Sequence, residues 1–441
     1  MRFIADLHIH SHYSRATSRN LNPENLVIWA QKKGINVVGT GDLTHPGWMS
    51  ELHEKLVEAG NNLYSLSPDI LGTLESEIPD SCRNSTKFML SGEISCIYKK
   101  DGKTRKTHHL VLMPDFDSAI KLNKKLDRIG NISSDGRPIL GLDSRILLEM
   151  VLETSDNAFF IPAHIWTPWF SVFGSKSGFD SIEECFEDLT PHIHALETGL
   201  SSDPPMNRLI SSLDDYLLIS NSDAHSPAKL GREANMFDTE LDYHRMIEVM
   251  TTKDGFIGTI EFYPEEGKYH LDGHRKCHVK LSPKETGEYD GICPSCGKPL
   301  TIGVFHRVAE LADREEPKLI KEFINLIPLN EILSEILGCG PATKTVGTQY
   351  ELLLSSLGPE LKILMDIPLG DIESAGGALL AKAINRMRKD QVIKHEGYDG
   401  EFGTIKLFHD SEKAELEEYR SHLKSTRSKN YIENDPDSEG A

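Results

Sequence analysis

Two short motifs far apart in the chain constrain its fold most: His8-Ile9-His10 near the N-terminus and Asp223-Ala224-His225. Side chains alternate along an extended strand, so both imidazoles of a His-x-His segment lie on one face. Two neutral imidazole nitrogens directed at one point suit a zinc-like or manganese-like ion. A lone His-x-His is more often a pair of surface histidines, so a metal site requires partner residues elsewhere.

Residues with suitable chemistry stand at or near the ends of short apolar runs in the first half of the chain. Helix-like stretches such as 25–33 and 144–153 separate these runs. Alternating strands and helices predict parallel pairing, and functional residues at strand ends are typical of a β/α barrel with its chemistry on one rim. The sequence therefore predicts an α/β barrel with a metal-binding rim. The strand-end residues are Asp42, Glu93, His109, His164 and Asp223.

A second metal site is predicted farther along the chain. His274-x-x-Cys277 and Cys293-x-x-Cys296 are two ligand pairs, and their separation is within the range of structural zinc modules. Four protein ligands leave no coordination position for a substrate, so this zinc is predicted to be structural. Neighbouring histidines leave the identity of the fourth ligand open: His270, His278 and His306.

Length and composition exclude several classes of protein. The 441 residues are enough for two or three domains. No apolar run reaches membrane-spanning length, and removal of a leader peptide would remove His8 and His10, so we expect a cytoplasmic protein without membrane contact. Seven cysteines, an odd number with three of them clustered, favour metal binding over a disulfide framework.

Apolar residues three or four apart predict helices over 317–327, 330–337 and 348–357, followed by a longer helix over 372–389. One face of the longer helix is basic, which is ordinarily a solvated face. The last thirty residues are highly charged and predicted to be disordered. The predicted domains are a barrel over 1–263, a zinc module over 264–304, a helical domain over 305–410 and a charged tail over 411–441.

A formal net charge of -20 argues against nucleic acid as a substrate, because diffuse negative charge repels phosphates. Basic residues are nevertheless concentrated locally, between Glu93 and His109 and again over 382–394. Local patches bind a phosphate backbone despite the overall sign, although salt then weakens binding steeply. Nucleic-acid binding is therefore compatible with the composition.

The order of these residues resembles that of the PHP (polymerase and histidinol phosphatase) family over about residues 1–245. The resemblance implies a distorted (β/α)7 barrel that acts on phosphate esters with two or three divalent ions, Zn, Mn or Mg. The ligands that it implies are His8, His10, Glu93 and Asp223 for one ion, Glu93, His109 and His164 for a second, and His225 for a third.

The sequence departs from the family at the third position. The usual Thr-Asp-His is Gly41-Asp42-Leu43 here, and His12 or His45 is a candidate to compensate. His108 is an alternative to His109, which stands in better register with the strand that follows.

A narrower resemblance, over about residues 1–408, is to the endonuclease Q branch of the PHP family. It is carried by the PHP ligands, by the zinc segment from Pro264-Glu265-Glu266-Gly267 to Cys277, and by Gly397-Tyr398-Asp399-Gly400. It implies a DNA repair endonuclease that cuts on the 5′ side of deaminated bases (hypoxanthine, uracil, xanthine) and of abasic sites. The implied partner is damaged double- or single-stranded DNA, which implies association with the nucleoid.

Such a reaction is hydrolysis by metal-activated hydroxide. We expect catalytic roles for Glu93, Asp223, His225 and Asp42. An aromatic loop after His164 is a candidate to stack on DNA, although a loop packed on the barrel explains it equally well. The residues predicted to contact DNA are Lys100, Arg105, Trp166, Trp169, Arg208, Arg386, Arg388 and Lys389.

Two other functions compete with this hypothesis. A PHP phosphatase acting on a small phosphate monoester would have the same barrel, but it would need neither the zinc module nor a basic helix. A binding protein with purely structural metals would not need so complete a ligand set. A sliding-clamp partner is left open, since no motif for one is found.

Overall fold

The computed structural model describes residues 1–421, which form two compact units. The first unit comprises Met1–Leu326 and His395–Thr404, and the second comprises Ile327–Lys394 together with the described residues from Ile405 onward. The boundary at 326 lies later than the predicted start of the helical domain at 305, and the zinc segment belongs to the first unit. The division into barrel, zinc module and helical domain stays a prediction.

Strands and helices alternate through most of the first unit, which confirms the mixed α/β class. The strands are β1 Arg2–Asp6, β2 Val37–Gly39, β3 Leu56–Glu58, β4 Tyr64–Leu66, β5 Lys87–Lys100, β6 Lys103–Met113, β7 Ile139–Leu140, β8 Phe159–Pro162, β9 Ala195–Glu197, β10 Leu217–Ile219, β11 Ala234–Asp238, β12 Phe256–Glu261, β13 Asp272–His274, β14 Val279–Leu281, β15 Glu322–Asn325, β16 Ile393–His395 and β17 Thr404–Lys406.

Several helices begin after a residue whose side chain caps the first turn, and they have proline in that turn. The helices are α1 Pro23–Lys33, α2 Pro46–Lys55, α3 Pro68–Leu74, α4 Phe116–Leu126, α5 Ser144–Leu152, α6 Ile182–Phe186, α7 Pro204–Asn207, α8 Tyr243–Thr252, α9 Pro283–Glu288, α10 Val304–Leu311, α11 Leu329–Leu337, α12 Lys344–Leu357, α13 Glu360–Met365, α14 Leu369–Gly376 and α15 Ala378–Arg388.

The central sheet of the first unit is mixed. Strand β1 pairs with β2 in parallel and with β11 antiparallel, and β2 pairs with β5 in parallel. Strands β9 and β10 form a separate parallel pair. Beyond the ends of β1 and β10, Ile9 and Ala224 form a parallel bridge. This bridge brings the His-x-His segment beside the Asp223 segment.

The prediction of parallel pairing is wrong for two strand pairs, β5 with β6 and β6 with β8. Strands β5 and β6 form a long antiparallel hairpin that ends with Lys100 opposite Lys103, and β8 pairs antiparallel with β6. Asp101 and Gly102 form the turn with φ angles of 52° and 74°, as a two-residue type I′ turn requires. Asp-Gly between two strand-like runs is a strong hairpin signal that the strand–helix reading of the sequence overlooked. Closure into a seven-stranded barrel stays a prediction.

The core of the first unit follows from the alternation of β1. Phe3, Ala5 and Leu7 pack into one buried apolar cluster with residues of α8 such as Met246 and Met250. Because side chains alternate along a strand, the even-numbered residues that follow, including His8, are directed to the other face. Burial of the apolar face thereby fixes where the histidines project.

The C-terminal helical region is confirmed, with corrections to individual helices. Residues 317–327 contain strand β15 instead of a helix, and the predicted helix over 372–389 is divided into α14 and α15 at Gly377, whose φ is 87°. The predicted disorder of 411–441 is wrong for 413–421, which are helical, and 422–441 lie outside the described residues.

Within residues 1–421, none of the helices combines the length and the apolar character needed to span a bilayer.

The hairpin turn gives a stability prediction. Gly102 has φ 74° and open space where a Cβ would lie, so Gly102→Ala should destabilise the protein by about 1 kcal/mol through backbone strain alone. Gly72 lies within α3, also has open space, and is the matched control: Gly72→Ala should stabilise by about 0.5–1 kcal/mol. Chemical denaturation measures the free energy of unfolding of each variant. A change of the same sign in both variants would contradict the turn assignment.

Candidate metal centre

The site lies where the strand-end residues meet. Besides the Ile9–Ala224 bridge, the backbone N–H of His10 donates to the carbonyl of Ala224 at 3.1 Å. Asp42, His164 and Asp223 have positive φ angles of 46°, 29° and 45°. Such backbone conformations cost about 1–3 kcal/mol each and concentrate at functional sites, where surrounding contacts enforce them.

Four ligand atoms converge in the first group, formed by His8, His10, Glu93 and Asp223. His10 Nε2 lies 2.9 Å from Asp223 Oδ1 and 3.3 Å from Glu93 Oε2. His8 Nε2 lies 3.5 Å from the same Glu93 oxygen and 3.9 Å from Asp223 Oδ1. Ligands bound tetrahedrally at about 2.1 Å lie about 3.4 Å apart, so this spacing fits one zinc-sized ion.

The same atoms lack ordinary partners. His8 Nε2, His10 Nε2 and Asp223 Oδ1 are buried and make no hydrogen bond of acceptable geometry to the described residues. Buried polar atoms are nearly always satisfied, and a cation is the partner that would satisfy these three together. The residues therefore fit a divalent ion.

Glu93, His108 and His164 form the second group. Glu93 Oε1 lies 2.6 Å from His108 Nδ1 and 3.0 Å from His164 Nε2. Glu93 thus directs Oε1 to the second group and Oε2 to the first. A carboxylate that offers one oxygen to each of two ligand sets is suited to bridge two ions.

The prediction of His109 as a ligand is wrong. His109 Nε2 lies 2.9 Å from Ser144 Oγ, and its ring packs 4.9 Å from that of Phe160. Consecutive residues of a strand face opposite sides, so only one of His108 and His109 can face the site. The structure selects His108, the alternative that the sequence left open.

Electrostatics also favour cations here. Burial alone would lower the pKa of His8, but the carboxylates of Glu197 and Glu93 outweigh it and raise that pKa well above its usual range. Burial would raise the pKa of Asp223, but His10 and His8 hold it low. Burial lowers the pKa of His108 to about 4, which favours the neutral imidazole that a metal requires.

Two carboxylates orient the histidines from behind. Asp42 Oδ1 lies 3.0 Å from His10 Nδ1, and both oxygens of Glu197 lie 3.0 Å from His8 Nδ1. A carboxylate on the second ring nitrogen fixes the tautomer and aims the first nitrogen at the metal. Asp42, expected to be catalytic, is thus placed as a positioning residue. Glu197 was missed, although it is an acid at the end of β9.

Arg137 is a second residue that sequence reasoning missed. Its Nη1 lies 2.9 Å from Glu93 Oε2, and its side chain is 29% exposed. Gly136 packs so closely that an added Cβ would collide with the Asp42 carboxylate. This close fit fixes the loop that carries Arg137 against the site. No sequence pattern identified this arginine, because it lies in an irregular loop.

Of two candidate ligands for a third ion, His225 lies beside the site and His45 does not contribute to it. The ring of His225 lies 4.7 Å from that of His10, and Nδ1 lies 2.8 Å from the Asp223 carbonyl oxygen, so His225 borders the site. His45 is not a ligand here: its Nε2 contacts the Ser133 carbonyl at 3.0 Å, and its Nδ1 caps α2. The assignment of His45 to a metal is wrong because both nitrogens serve the fold.

The predicted zinc ligands come together: the ligand atoms of His274, Cys277, Cys293 and Cys296 all lie within 4.8 Å of one another. Gly297 has φ 70°, and its N–H donates to the Cys293 carbonyl at 2.9 Å, which forms a tight turn around the thiols. Burial would raise the pKa of Cys293, but backbone hydrogen bonds from Ser295 and Cys296 lower it to about 7. A thiol that ionises readily suits zinc.

Several residues predicted to contact DNA are engaged inside the first unit. Trp166 is 1% exposed and donates from Nε1 to Asn207, and Arg208 is buried and donates to the carbonyl of Tyr216 at 3.0 Å. Arg105 is buried over the ring of Phe179, at 4.1 Å from its centroid. These three positions are unsuited to DNA contact because their polar groups serve the fold.

Two other residues predicted to contact DNA, Lys100 and Trp169, differ from each other in solvent exposure. Lys100 pairs with Glu187 at 2.5 Å and has a side chain that is 15% exposed. Trp169 is 45% exposed and remains accessible.

The basic helix of the second unit is likewise partly neutralised. Arg386 pairs with Glu412 at 2.8 Å, and Arg388 donates to the carbonyls of Ile363, Leu364 and Ile367. These contacts leave the guanidinium groups engaged within the unit. Lys389 is exposed.

Comparison with known proteins places this geometry among solved structures. The chain aligns with the crystal structure of the lesion-specific endonuclease PfuEndoQ from Pyrococcus furiosus with a TM-score of 0.80 and 32% identity, covering 92% of this chain and 95% of that one. It aligns with a crystal structure of endonuclease Q in complex with a 27-mer duplex substrate, with an abasic lesion at the active site, with a TM-score of 0.79 and 31% identity, covering 93% and 98%.

Two sequence relatives match the chain to different extents. The chain is 28% identical to the uncharacterized protein YqxK of Bacillus subtilis over 92% of this chain and 99% of that protein. It is 32% identical to the uncharacterized protein MJ0043 of Methanocaldococcus jannaschii over 65% of this chain, but spans 38% of that protein's length. Residues 328–391 match the family described as the MJ0043 C-terminal domain.

The two adjacent histidines give a metal-binding prediction. Removal of a residue that only orients a ligand typically weakens metal affinity about 10- to 100-fold. His108→Asn removes a predicted direct ligand of the second group, so it should weaken Mn²⁺ binding at that group by at least about 100-fold. His109→Asn is the matched control and should leave Mn²⁺ affinity unchanged, with a lower melting temperature. Calorimetric titration measures affinity, and loss of Mn²⁺ in His109→Asn alone would contradict the assignment.

The cysteine cluster gives a second prediction. Cys296→Ser should remove one equivalent of tightly bound zinc, measured by elemental analysis of the purified protein, and should lower its melting temperature. Cys339→Ser is the control, because Cys339 lies outside the cluster. Equal zinc contents in the two variants would refute a structural zinc at this cluster.

Proposed function

The chain belongs to the endonuclease Q family, and on this premise we propose that it is a metal-dependent DNA repair endonuclease. Its proposed reaction is hydrolysis of the phosphodiester on the 5′ side of deaminated bases (hypoxanthine, uracil, xanthine) and of abasic sites. The proposed partner is damaged double- or single-stranded DNA.

One observation carries the proposal: two ligand groups share the carboxylate of Glu93. Paired divalent ions about 3.5–4 Å apart are a recurrent arrangement for displacement at phosphorus, since they act on the attacking and leaving oxygens together. Likeness along nearly the whole chain to an endonuclease solved with an abasic lesion at its active site supports DNA as the substrate.

We assign the two groups of ligands to zinc, manganese or magnesium, with His225 as the candidate for a third ion. When bound, such ions supply Lewis acidity that activates water and neutralises phosphate charge. Glu93 holds the two groups in a fixed relation. Glu197 and Asp42 keep His8 and His10 in the tautomer that presents Nε2.

Arg137 supplies the positive charge of the protein itself. Its guanidinium lies at the edge of the ligand groups and is partly exposed. With ions held by the two ligand groups, this guanidinium would be available to a non-bridging oxygen of the scissile phosphate. Arginine donors are suited to stabilise the charge that develops there in the transition state.

With two ions and no third, His225 is placed for a different role, which is proton transfer. Its Nδ1 is held by the Asp223 carbonyl at 2.8 Å, and its side chain is 36% exposed, which leaves Nε2 as the nitrogen free to face the substrate. Burial lowers the pKa of His225, and its Nδ1–H donates to the carbonyl, so Nε2 of the neutral ring accepts a proton from the attacking water. The O3′ leaving group then takes its proton from solvent. Products with 3′-hydroxyl and 5′-phosphate ends follow from this assignment.

A gel assay tests the function. Labelled duplexes with one abasic site, uracil or hypoxanthine are incubated with the protein and Mn²⁺, Mg²⁺ or Zn²⁺. We expect one nick on the 5′ side of the lesion, none in undamaged duplex, and none after chelation. Glu93→Gln should lower the rate by at least about 1000-fold, because it disrupts both ligand groups. His109→Asn should retain nicking.

A chromogenic phosphate monoester provides the contrasting measurement. Rapid hydrolysis of the monoester without nicking of any lesion duplex would refute the endonuclease and favour a phosphatase. Full nicking by Glu93→Gln would refute the assignment of the site.

A further inference from the structure

An exposed group of aromatic side chains in the first unit is unused by the chemistry described above. Phe402 is 72% exposed, Trp169 is 45% exposed, and the ring of Tyr269 lies 6.2 Å from that of Trp169. Lys268 Nζ lies 5.6 Å from the centroid of Tyr269 and 5.7 Å from that of Phe402. We refer to Trp169, Lys268, Tyr269 and Phe402 as the aromatic ledge.

The loop that carries Phe402 is tightly held. Within it, Tyr398 and Glu401 exchange backbone hydrogen bonds of 3.0 and 2.8 Å, and Gly400 N–H donates to the Lys268 carbonyl at 2.8 Å. The Asp399 carboxylate accepts from the Arg275 amide at 2.7 Å. The exposed ring of Phe402 is therefore presented on a backbone with fixed conformation.

Close packing on both sides strengthens this conclusion. An added Cβ at Gly397 would collide with the Gly267 carbonyl oxygen, and one at Gly403 would collide with that of Glu265. Both glycines allow the loop to lie against the segment that carries Lys268. A flexible loop would not need this fit, so the exposure of Phe402 is a feature of an ordered surface.

The ledge connects to the metal centre through one loop. The ring of Phe170, next to Trp169 in sequence, lies 4.7 Å from the ring of His108. Lys106 Nζ lies 5.3 Å from the centroid of Phe170. One loop thus carries Phe170 beside His108 and, at the preceding position, Trp169 in the ledge.

This pattern fits a single strand of DNA. Successive bases stack on exposed aromatic rings, while lysines contact the phosphates between them. An unpaired or extruded base next to a lesion needs a surface to replace its lost stacking. A small phosphate monoester would need no such surface.

We propose that the aromatic ledge binds an unpaired nucleobase of the substrate strand, with Phe402 stacking on the base and Lys268 contacting its phosphate. The proposal rests on the proposed endonuclease function for its substrate, but it concerns binding, so it can be tested without turnover. Phe402 is accordingly a binding residue with no part in the chemical step.

The test measures binding of the full chain carrying Glu93→Gln to a fluorescent duplex with one abasic site. Stacking on an aromatic ring contributes about 1–3 kcal/mol per base, so Phe402→Ala should weaken binding about 5- to 150-fold. Phe402→Trp should retain affinity, whereas Phe402→Leu should lose it. Tyr289→Ala is the matched control, because Tyr289 is 46% exposed in the same unit and lies outside the ledge.

Two readouts separate stacking from other roles. A 2-aminopurine in the lesion strand, next to the abasic site, should be quenched on binding, and Phe402→Ala should abolish that quenching. Lys268→Met should reduce the slope of log affinity against log salt concentration by about one, as expected for one lost phosphate contact.

Several results would overturn the proposal. Unchanged affinity in Phe402→Ala, equal losses in Phe402→Ala and Tyr289→Ala, or full affinity in Phe402→Leu would each exclude stacking. A dimer that Phe402→Ala converts to monomer without change in DNA affinity would assign the ledge to self-association instead. Nicking by the unmodified chain reports separately on the endonuclease function, so failure of one does not imply failure of the other.

Discussion

The carboxylate of Glu93 has no solvent exposure, and most of the site is arranged around its charge. Removing an ionised carboxylate from water is costly unless cations and hydrogen bonds replace the hydration. Burial would raise the pKa of Glu93, but His108, Arg137 and His8 outweigh it and hold that pKa well below its usual range. Two oxygens with separate sets of imidazole partners make this residue a natural bridge between ions.

The sheet supplies the rigidity that such an arrangement needs. Glu93 lies on β5 and His108 on β6, and these strands are paired along their whole common length. The Ile9–Ala224 bridge adds the segments with His8 and Asp223. Strand pairing holds the ligands at fixed separations, although they come from distant parts of the chain.

The sequence predicted much of this site through three signals: strand alternation placed His8 and His10 on one face, strand ends marked the other ligands, and the resemblance to the PHP family grouped them. It identified His8, His10, Glu93, His164 and Asp223, which the structure brings together. Strand alternation also explains the error at His109. Only one of two consecutive residues faces the site, and which one does so depends on the register of β6 against its partner strands, which the sequence does not show.

Other errors have different physical origins. Antiparallel pairing of β5 and β6 was encoded by Asp101-Gly102 but was outweighed by the strand–helix alternation around it. Arg137, Arg208 and Trp166 could not be placed because their contacts are tertiary. A basic or aromatic residue has the same appearance in sequence whether it faces solvent or satisfies a buried carbonyl.

The first unit is discontinuous in sequence, since the chain leaves it after Leu326 and returns for His395–Thr404. The returning segment satisfies backbone carbonyls of Glu265, Glu266 and Lys268. Both units are therefore discontinuous, because the helical unit takes 327–394 and the described residues from Ile405 onward, on either side of the returning segment. A protein shortened at residue 326 would lose part of the first unit, whereas a deletion that respects both units removes 327–394 together with the residues from Ile405 onward.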